Sequence, residues 1–255
     1  MLHFKSSLAF ALIVLCSATA IAETKLARCN TTKGLTTIYL GQGKNFPIVA
    51  ALKNDDLFYC TASDSEWLKI VALKWQNDRQ IEGYIHKNKV QFIEFLAPKT
   101  KKKLLSDVLV KQKILADNFQ KAWRTKDSVL YKTTIQELEA HSEFKYTPIL
   151  EILPQYFCTT KDIGTLQLFF STLWADKGAA NEAPSFAVAN CFMCQTDIVL
   201  RQLRVIKTNE QRNALYDYIG YGLRNHYSID KNGKSENAEY DMLKKILDKG
   251  REENP

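Results

Sequence analysis

The chain has 255 residues, 45% apolar, 11% aromatic and 25% charged, with only ten Gly and six Pro, which excludes disordered, collagen-like and low-complexity proteins and leaves room for one large or two small globular domains. The formal net charge is +7, but residues 23–97 hold ten Lys and Arg against eight Asp and Glu, and residues 104–255 hold twenty against twenty. Most of the excess is Lys99, Lys101, Lys102 and Lys103, so neither long segment has the basic stripe that nucleic-acid binding requires.

Lys5, the apolar run Leu8 to Leu15 and the small-x-small triplet Ala20-Ile21-Ala22 stand in the order of a secretory signal peptide over residues 1–22, with cleavage after Ala22. The run is shorter than the roughly 20 apolar residues a bilayer span needs, and the bulky Leu15 before Cys16 does not suit a lipobox. No other run is apolar enough to cross a membrane. The expected location is periplasmic or secreted.

Residues 23–97 carry short runs of β-formers separated by turns: Thr36 to Leu40, Phe46 to Ala50, Leu57 to Cys60, Trp67 to Leu73, and Ile81 to His86 continuing to Val90 and Ile93. Five or six strands in so short a span predict a small all-β barrel. Glu66-Trp67-Leu68-Lys69-Ile70, then a hairpin, then Glu82-Gly83-Tyr84-Ile85-His86-Lys87-Asn88-Lys89-Val90 is similar to the end of the bacterial SH3-like (SH3b) domain family, in which a W-x-K-[IV] strand precedes G-[WY]-[IV]. The match covers about residues 28–93. The opening differs, with Arg28-Cys29-Asn30 where that family carries an Asn-Val-Arg-like segment. The resemblance implies a noncatalytic envelope module that binds cell-wall peptide or an envelope protein. Tyr39, Trp67, Trp75 and Tyr84 are the candidate ligand-binding aromatics, with the acids Asp55, Asp56 and Asp64 expected beside Tyr39 and Trp75, and His86 falls at the helical-turn position of the pattern.

Pro98 and the lysines through Lys103 interrupt the strand pattern and predict a basic linker over residues 98–103. From Leu104 the apolar period becomes helical. The first helix reaches Trp123 and a second spans Ser128 to Ala140. Pro148 to Pro154 predicts a short or kinked helix, and Gly164 to Trp174 a buried one. Pro184 opens a long helix to about Ile206, Asn209 can cap a helix over Glu210 to Asn225, and Asp241 to Asp248 closes the chain. The expected class is α+β and multidomain, the barrel preceding an all-α domain over 104–255 that forms a compact bundle or a short HEAT-like stack.

Five cysteines follow the leader, and in an exported chain they are disulfide candidates. Cys29 and Cys60 form the first expected pair; Cys158 can pair with Cys191 or Cys194, which leaves one odd thiol. The Cys191-Phe192-Met193-Cys194 segment lacks the preceding strand of a redox CxxC, and no second Cys/His pair stands at zinc-ligand spacing, so neither metal nor cofactor is expected.

Catalytic patterns are missing. There is no Asp-Cys-Ser-Gly peptidase nucleophile, no Gly-x-Ser-x-Gly and no HExxH. Glu151, Asp176 and Glu182 are the acids a wall hydrolase would draw on, and His141 and His226 the imidazoles that could approach each other in space. The sequence thus favours an exported binding protein, in a narrower version an inhibitor or immunity protein, with the helical half giving a second surface. The Tyr216, Tyr218, Tyr221 and Tyr227 cluster is the competing candidate surface. A peptidoglycan hydrolase with an unrecognised site in the helical half is the alternative.

Overall fold

The computed structural model describes residues 23–31, 34–61, 65–75, 79–173, 182–229 and 235–253, with only the backbone described over 72–75 and 79–80. The leader, Asp64 and Asp176 lie outside the described residues. An antiparallel seven-stranded sheet precedes eight α-helices among those residues, which is a mixed α+β chain.

The strands are β1 (Thr24–Cys29), β2 (Leu35–Tyr39), β3 (Ile48–Lys53), β4 (Leu57–Thr61), β5 (Trp67–Trp75), β6 (Arg79–His86) and β7 (Val90–Phe92). They lie in the order β3-β2-β6-β5-β4-β1-β7. The expected barrel is not closed. Its edges β3 and β7 lie at opposite ends of the sheet, because β1, which carries no strong β-pattern, inserts between β4 and β7. Alternation along β4, β5 and β6 puts Phe58, Cys60, Leu68, Ile70 and Ile85 on one side, in one core with Leu52 of edge strand β3. One cluster fed from both wings requires the sheet to curl about it. Register shifts in the β2–β3, β4–β5 and β5–β6 pairs give the local bends that such a curl needs.

Gly83 allows the tightest of these approaches. A Cβ there would lie 2.5 Å from Ile38 Cγ2 and 2.8 Å from the Tyr39 carbonyl oxygen, so only glycine lets β2 cross β6 where Tyr39 pairs with Tyr84.

The helices are α1 (Pro98–Thr125), α2 (Ser128–His141), α3 (Thr147–Thr160), α4 (Ile163–Leu173), α5 (Glu182–Cys194), α6 (Thr196–Arg204), α7 (Asn209–His226) and α8 (Ala238–Glu252). Residues 98–103 are therefore not a free linker but the first turns of α1. Four lysines oppose the positive end of the helix dipole there. Packing holds the end instead: Leu96, Leu104 and Leu105 are buried in the helical core, Lys102 pairs with Asp162 at 2.8 Å and Lys101 reaches the Glu94 carbonyl. Asp162 also accepts from Tyr156 and Thr165. Burial works against its charge, but the Lys102, Thr165 and Tyr156 bonds outweigh burial and hold its carboxyl below the ordinary value.

Three other boundaries differ from the sequence pattern. A π-helical segment, Ser142–Tyr146, joins α2 to α3, and α3 continues through Pro154 because Leu150, Leu153 and Phe157 are buried around it. The long helix expected from Pro184 to Ile206 breaks at Gln195, whose φ of −143° is not helical. Thr208, one residue before the expected Asn209, caps α7.

The helical core gathers Ile149, Phe157, Phe169, Val188, Phe192 and Leu223. Helices α5 and α7 meet closest at Gly222, where a Cβ would strike the Ser185 carbonyl and lie 2.7 Å from Ala189 Cβ. Sheet and helices share this interior, since Leu57, Ile93 and Leu96 belong to it while Phe144 packs into the sheet core. Polar bonds cross the same boundary: Lys145 Nζ donates to the Asp55 carbonyl at 2.6 Å and pairs with Asp56 at 2.7 Å, and the Tyr59 hydroxyl donates to Glu151 at 2.6 Å.

Cys158 is bonded to Cys194, one of the two partners open to it, and Cys191 is buried and free. The expected Cys29–Cys60 bridge does not form; both thiols are buried and free. The register explains why. Lys25 lies opposite Cys60 and Arg28 opposite Leu57, so Cys29 sits four residues along β1 from the partner of Cys60, about 13 Å at strand rise. A disulfide tolerates a Cα separation of no more than about 7 Å.

Candidate functional site: an aromatic face on the sheet

Pairing in the centre of the sheet determines which side chains share the side opposite the core. Tyr39 lies across from Tyr84, Tyr84 from Lys69, and Trp67 from His86. Their inward neighbours Ile38, Leu68, Ile70 and Ile85 are buried, so Tyr39, Trp67, Lys69, Tyr84 and His86 face outward together. The Tyr39 and Trp67 rings meet edge to face at 5.6 Å, and Trp67 and His86 at 5.1 Å. Such contacts fix ring orientation while each ring stays half-buried, leaving aromatic faces available. Ile48, opposite Tyr39 on edge strand β3, extends the face and is 67% exposed. Lys69 and Glu82 lie 3.8 Å apart beside it; as an exposed pair they add little stability and remain free to meet a polar ligand.

Three of the four sequence candidates, Tyr39, Trp67 and Tyr84, thus come together. Trp75 lies on the same strand opposite Arg79, and its side chain falls outside the described residues. The sequence reading missed His86 as a member of this face. The signal was present in the alternation Glu82, Tyr84, His86 along β6. His86 also accepts from the Asn88 amide through Nδ1 at 3.3 Å and so caps the 3-10 turn Lys87–Lys89.

The acids expected beside the aromatics are engaged elsewhere. Asp55 pairs with Arg28 of β1 at 3.0 Å and Asp56 with Lys145 of the helical half.

The chain matches no family model, no curated protein and no solved structure.

The other candidate chemistry has structural employment. Burial pushes the Cys60 thiol up to about 12 and also raises Cys29 and Cys191, which makes all three poor nucleophiles at neutral pH. His141 Nε2 donates to the Val108 carbonyl at 3.0 Å, and His226 meets Tyr227 edge to face. Glu151 holds Tyr59, and Glu182 accepts from Tyr221 at 3.0 Å. Among the described residues no cluster of three or more His, Cys, Asp or Glu is placed to hold a metal. Of the tyrosine cluster on α7, Tyr216 is core, its hydroxyl donating to the Gly250 carbonyl at 2.8 Å, and Tyr218 and Tyr227 pack against the core. Only Tyr221 offers a surface, with Arg224 over its ring.

Proposed function

We propose that the chain is an exported, noncatalytic binding protein of the cell envelope whose aromatic sheet face recognises cell-wall peptide or an envelope protein. The observation that carries this is the outward row of Tyr39, Trp67, Tyr84 and His86. Interlocked rings with free faces suit apolar stems or amines on a ligand, through stacking and cation–π attraction of about 0.5–2 kcal/mol each. An SH3-like reading of the sheet is supported by its curl around one core, by Gly83 at the close strand crossing and by the 3-10 turn before β7. Export is supported by the leader pattern and by the Cys158–Cys194 bond, which suits an oxidising compartment.

Pull-down on purified cell wall, and on envelope extracts from the same cells, tests the proposal. Trp67→Ala with Tyr84→Ala should abolish capture from both while the protein remains folded. Clearing of a wall zymogram by the wild-type chain would replace this reading with that of a hydrolase.

A further inference from the structure

The far end of the α1–α2 pair carries a surface of a different character. The residues α1 gives to the helical core end at Leu109, and no residue of α2 belongs to that core. Trp123 is fourteen positions further along α1, about 21 Å at helical rise, so the two helices form a hairpin whose tip stands away from the core. Its turn is short and well held. Lys126 adopts the left-handed conformation and returns its amide to the Ala122 and Trp123 carbonyls; Asp127 accepts from the Val129 and Leu130 amides at 3.1 and 2.9 Å.

That rigid turn displays apolar side chains to solvent. Trp123 is 65% exposed, Val129 76% and Leu130 39%. Trp123 and Phe119 both lean on Tyr131, at 5.8 and 5.3 Å between ring centroids, and Trp123 and Tyr131 line a hollow of about 430 Å³. Neither the packing of α1 on α2 nor the helical propensity of this segment requires an apolar residue at Val129, and the contact of Trp123 with Tyr131 leaves most of the indole exposed.

The charges around the tip indicate what it meets. Lys121, Arg124, Lys126 and Lys132 are exposed, whereas from Phe119 to Ile135 the one acid is Asp127, committed to the α2 cap. The helical half as a whole is balanced, twenty cations against twenty acids, so this is a local segregation of positive charge. A second copy docked tip to tip would oppose four cations to four. An exposed apolar tip with aromatic rings and a rim of long cationic side chains fits instead the boundary between headgroups and acyl chains, where Trp and Tyr settle and Lys and Arg extend toward phosphate.

We propose that the α1–α2 tip is a membrane-docking site that inserts Trp123, Val129 and Leu130 into the interface of an anionic phospholipid surface while Lys121, Arg124, Lys126 and Lys132 contact its headgroups. The proposal is independent of the ligand bound by the sheet.

Flotation tests it, using protein purified from an export-competent host with its first residue fixed by mass spectrometry. Vesicles are phosphatidylethanolamine with about one-third phosphatidylglycerol, or phosphatidylcholine alone. The expected result is flotation with the anionic vesicles and much weaker flotation with phosphatidylcholine. Trp123→Ser with Val129→Ser should lower the melting temperature only slightly, because both side chains are largely exposed, and lower binding at least tenfold. Lys126→Gln with Lys132→Gln should lower binding to anionic vesicles about fivefold per lysine removed and leave phosphatidylcholine binding unchanged. Equal binding to both vesicle types, or variants that float as the wild type does, would overturn the proposal. So would a wild-type dimer in sedimentation equilibrium that the Trp123 variant converts to monomer without any vesicle binding, which would make a second copy the occupant.

Discussion

The sheet and the helices solve the same packing problem with different resources. The helical half buries a broad core, ties α3 to the end of α5 through Cys158–Cys194 and brings α5 and α7 together at Gly222. The sheet has a small core, no disulfide and two free edges, and it draws support from the helices through Phe144, Lys145 and Glu151. The difference explains where surface can be spent on recognition. Because the helices support the sheet at the β1–β4 side, its outward aromatic face need not be buried for stability.

Breaking the disulfide should expose the largest contrast. The bond closes a 36-residue separation, worth roughly 4 kcal/mol in the chain-entropy model. Cys158→Ala should therefore lower the helical transition strongly in a denaturant melt followed by far-UV circular dichroism. Thiol titration of unfolded, unreduced protein should count three thiols, from Cys29, Cys60 and Cys191, plus one from Cys16 wherever residues 1–22 are kept. A count one pair lower would restore the Cys29–Cys60 bridge and contradict the β1–β4 register.

The two glycines come next, and they compare the halves directly. At Gly222 the added methyl meets backbone, which cannot rotate away, so Gly222→Ala should cost about 3 kcal/mol by forcing α5 from α7. At Gly83 the backbone obstruction, the Tyr39 carbonyl oxygen, stands further off at 2.8 Å, with the Ile38 Cγ2 methyl at 2.5 Å, and Gly83→Ala should cost about 2 kcal/mol. Urea midpoints of the two variants rank them. Equal costs, or the reverse order, would mean that the sheet is the less adaptable half.

Legibility in the sequence followed the range of the interactions involved. Strands β2 to β6 and most helices show in the 2.0 and 3.6 periods because each buries one face, and Tyr39, Trp67 and Tyr84 could be nominated from types and alternation. Strand β1 was missed because Thr24-Lys25-Leu26-Ala27-Arg28-Cys29 has few β-branched residues; its place comes from pairing with β4 and β7, 29 or more positions away. The Cys29–Cys60 pairing failed for the same reason, since sequence separation says nothing of strand register. Residues 98–103 looked like a linker because lysines disfavour a helix start; burial of Leu96 and Leu104 and the contact with Asp162, all tertiary, overrule them. His86 was read by its turn position, although its partners Trp67 and Asn88 give it two roles.

The smallest effect is on the pH dependence of stability, whose acid and alkaline limbs come from different groups. His141, at the end of α2, has its pKa lowered mainly by burial, with Lys145 and Lys111 adding to this against the Val108 carbonyl. The folded chain therefore resists protonation that the unfolded chain accepts, and stability present above about pH 6.5 declines as pH falls through that value. In the sheet, burial raises Cys60 to about 12, and burial with the Glu151 bond raises Tyr59. There the unfolded chain loses its proton first, so stability is complete below about pH 9 and declines as pH rises above it. Urea melts between pH 5 and 9.5 reach only the near end of each titration, which keeps the changes small. His141→Gln should flatten the acid limb alone, and Cys60→Ala should flatten part of the alkaline limb, Cys29, Tyr59 and Cys191 supplying the rest. Loss of both limbs in either single variant would mean that the two limbs do not arise from separate groups.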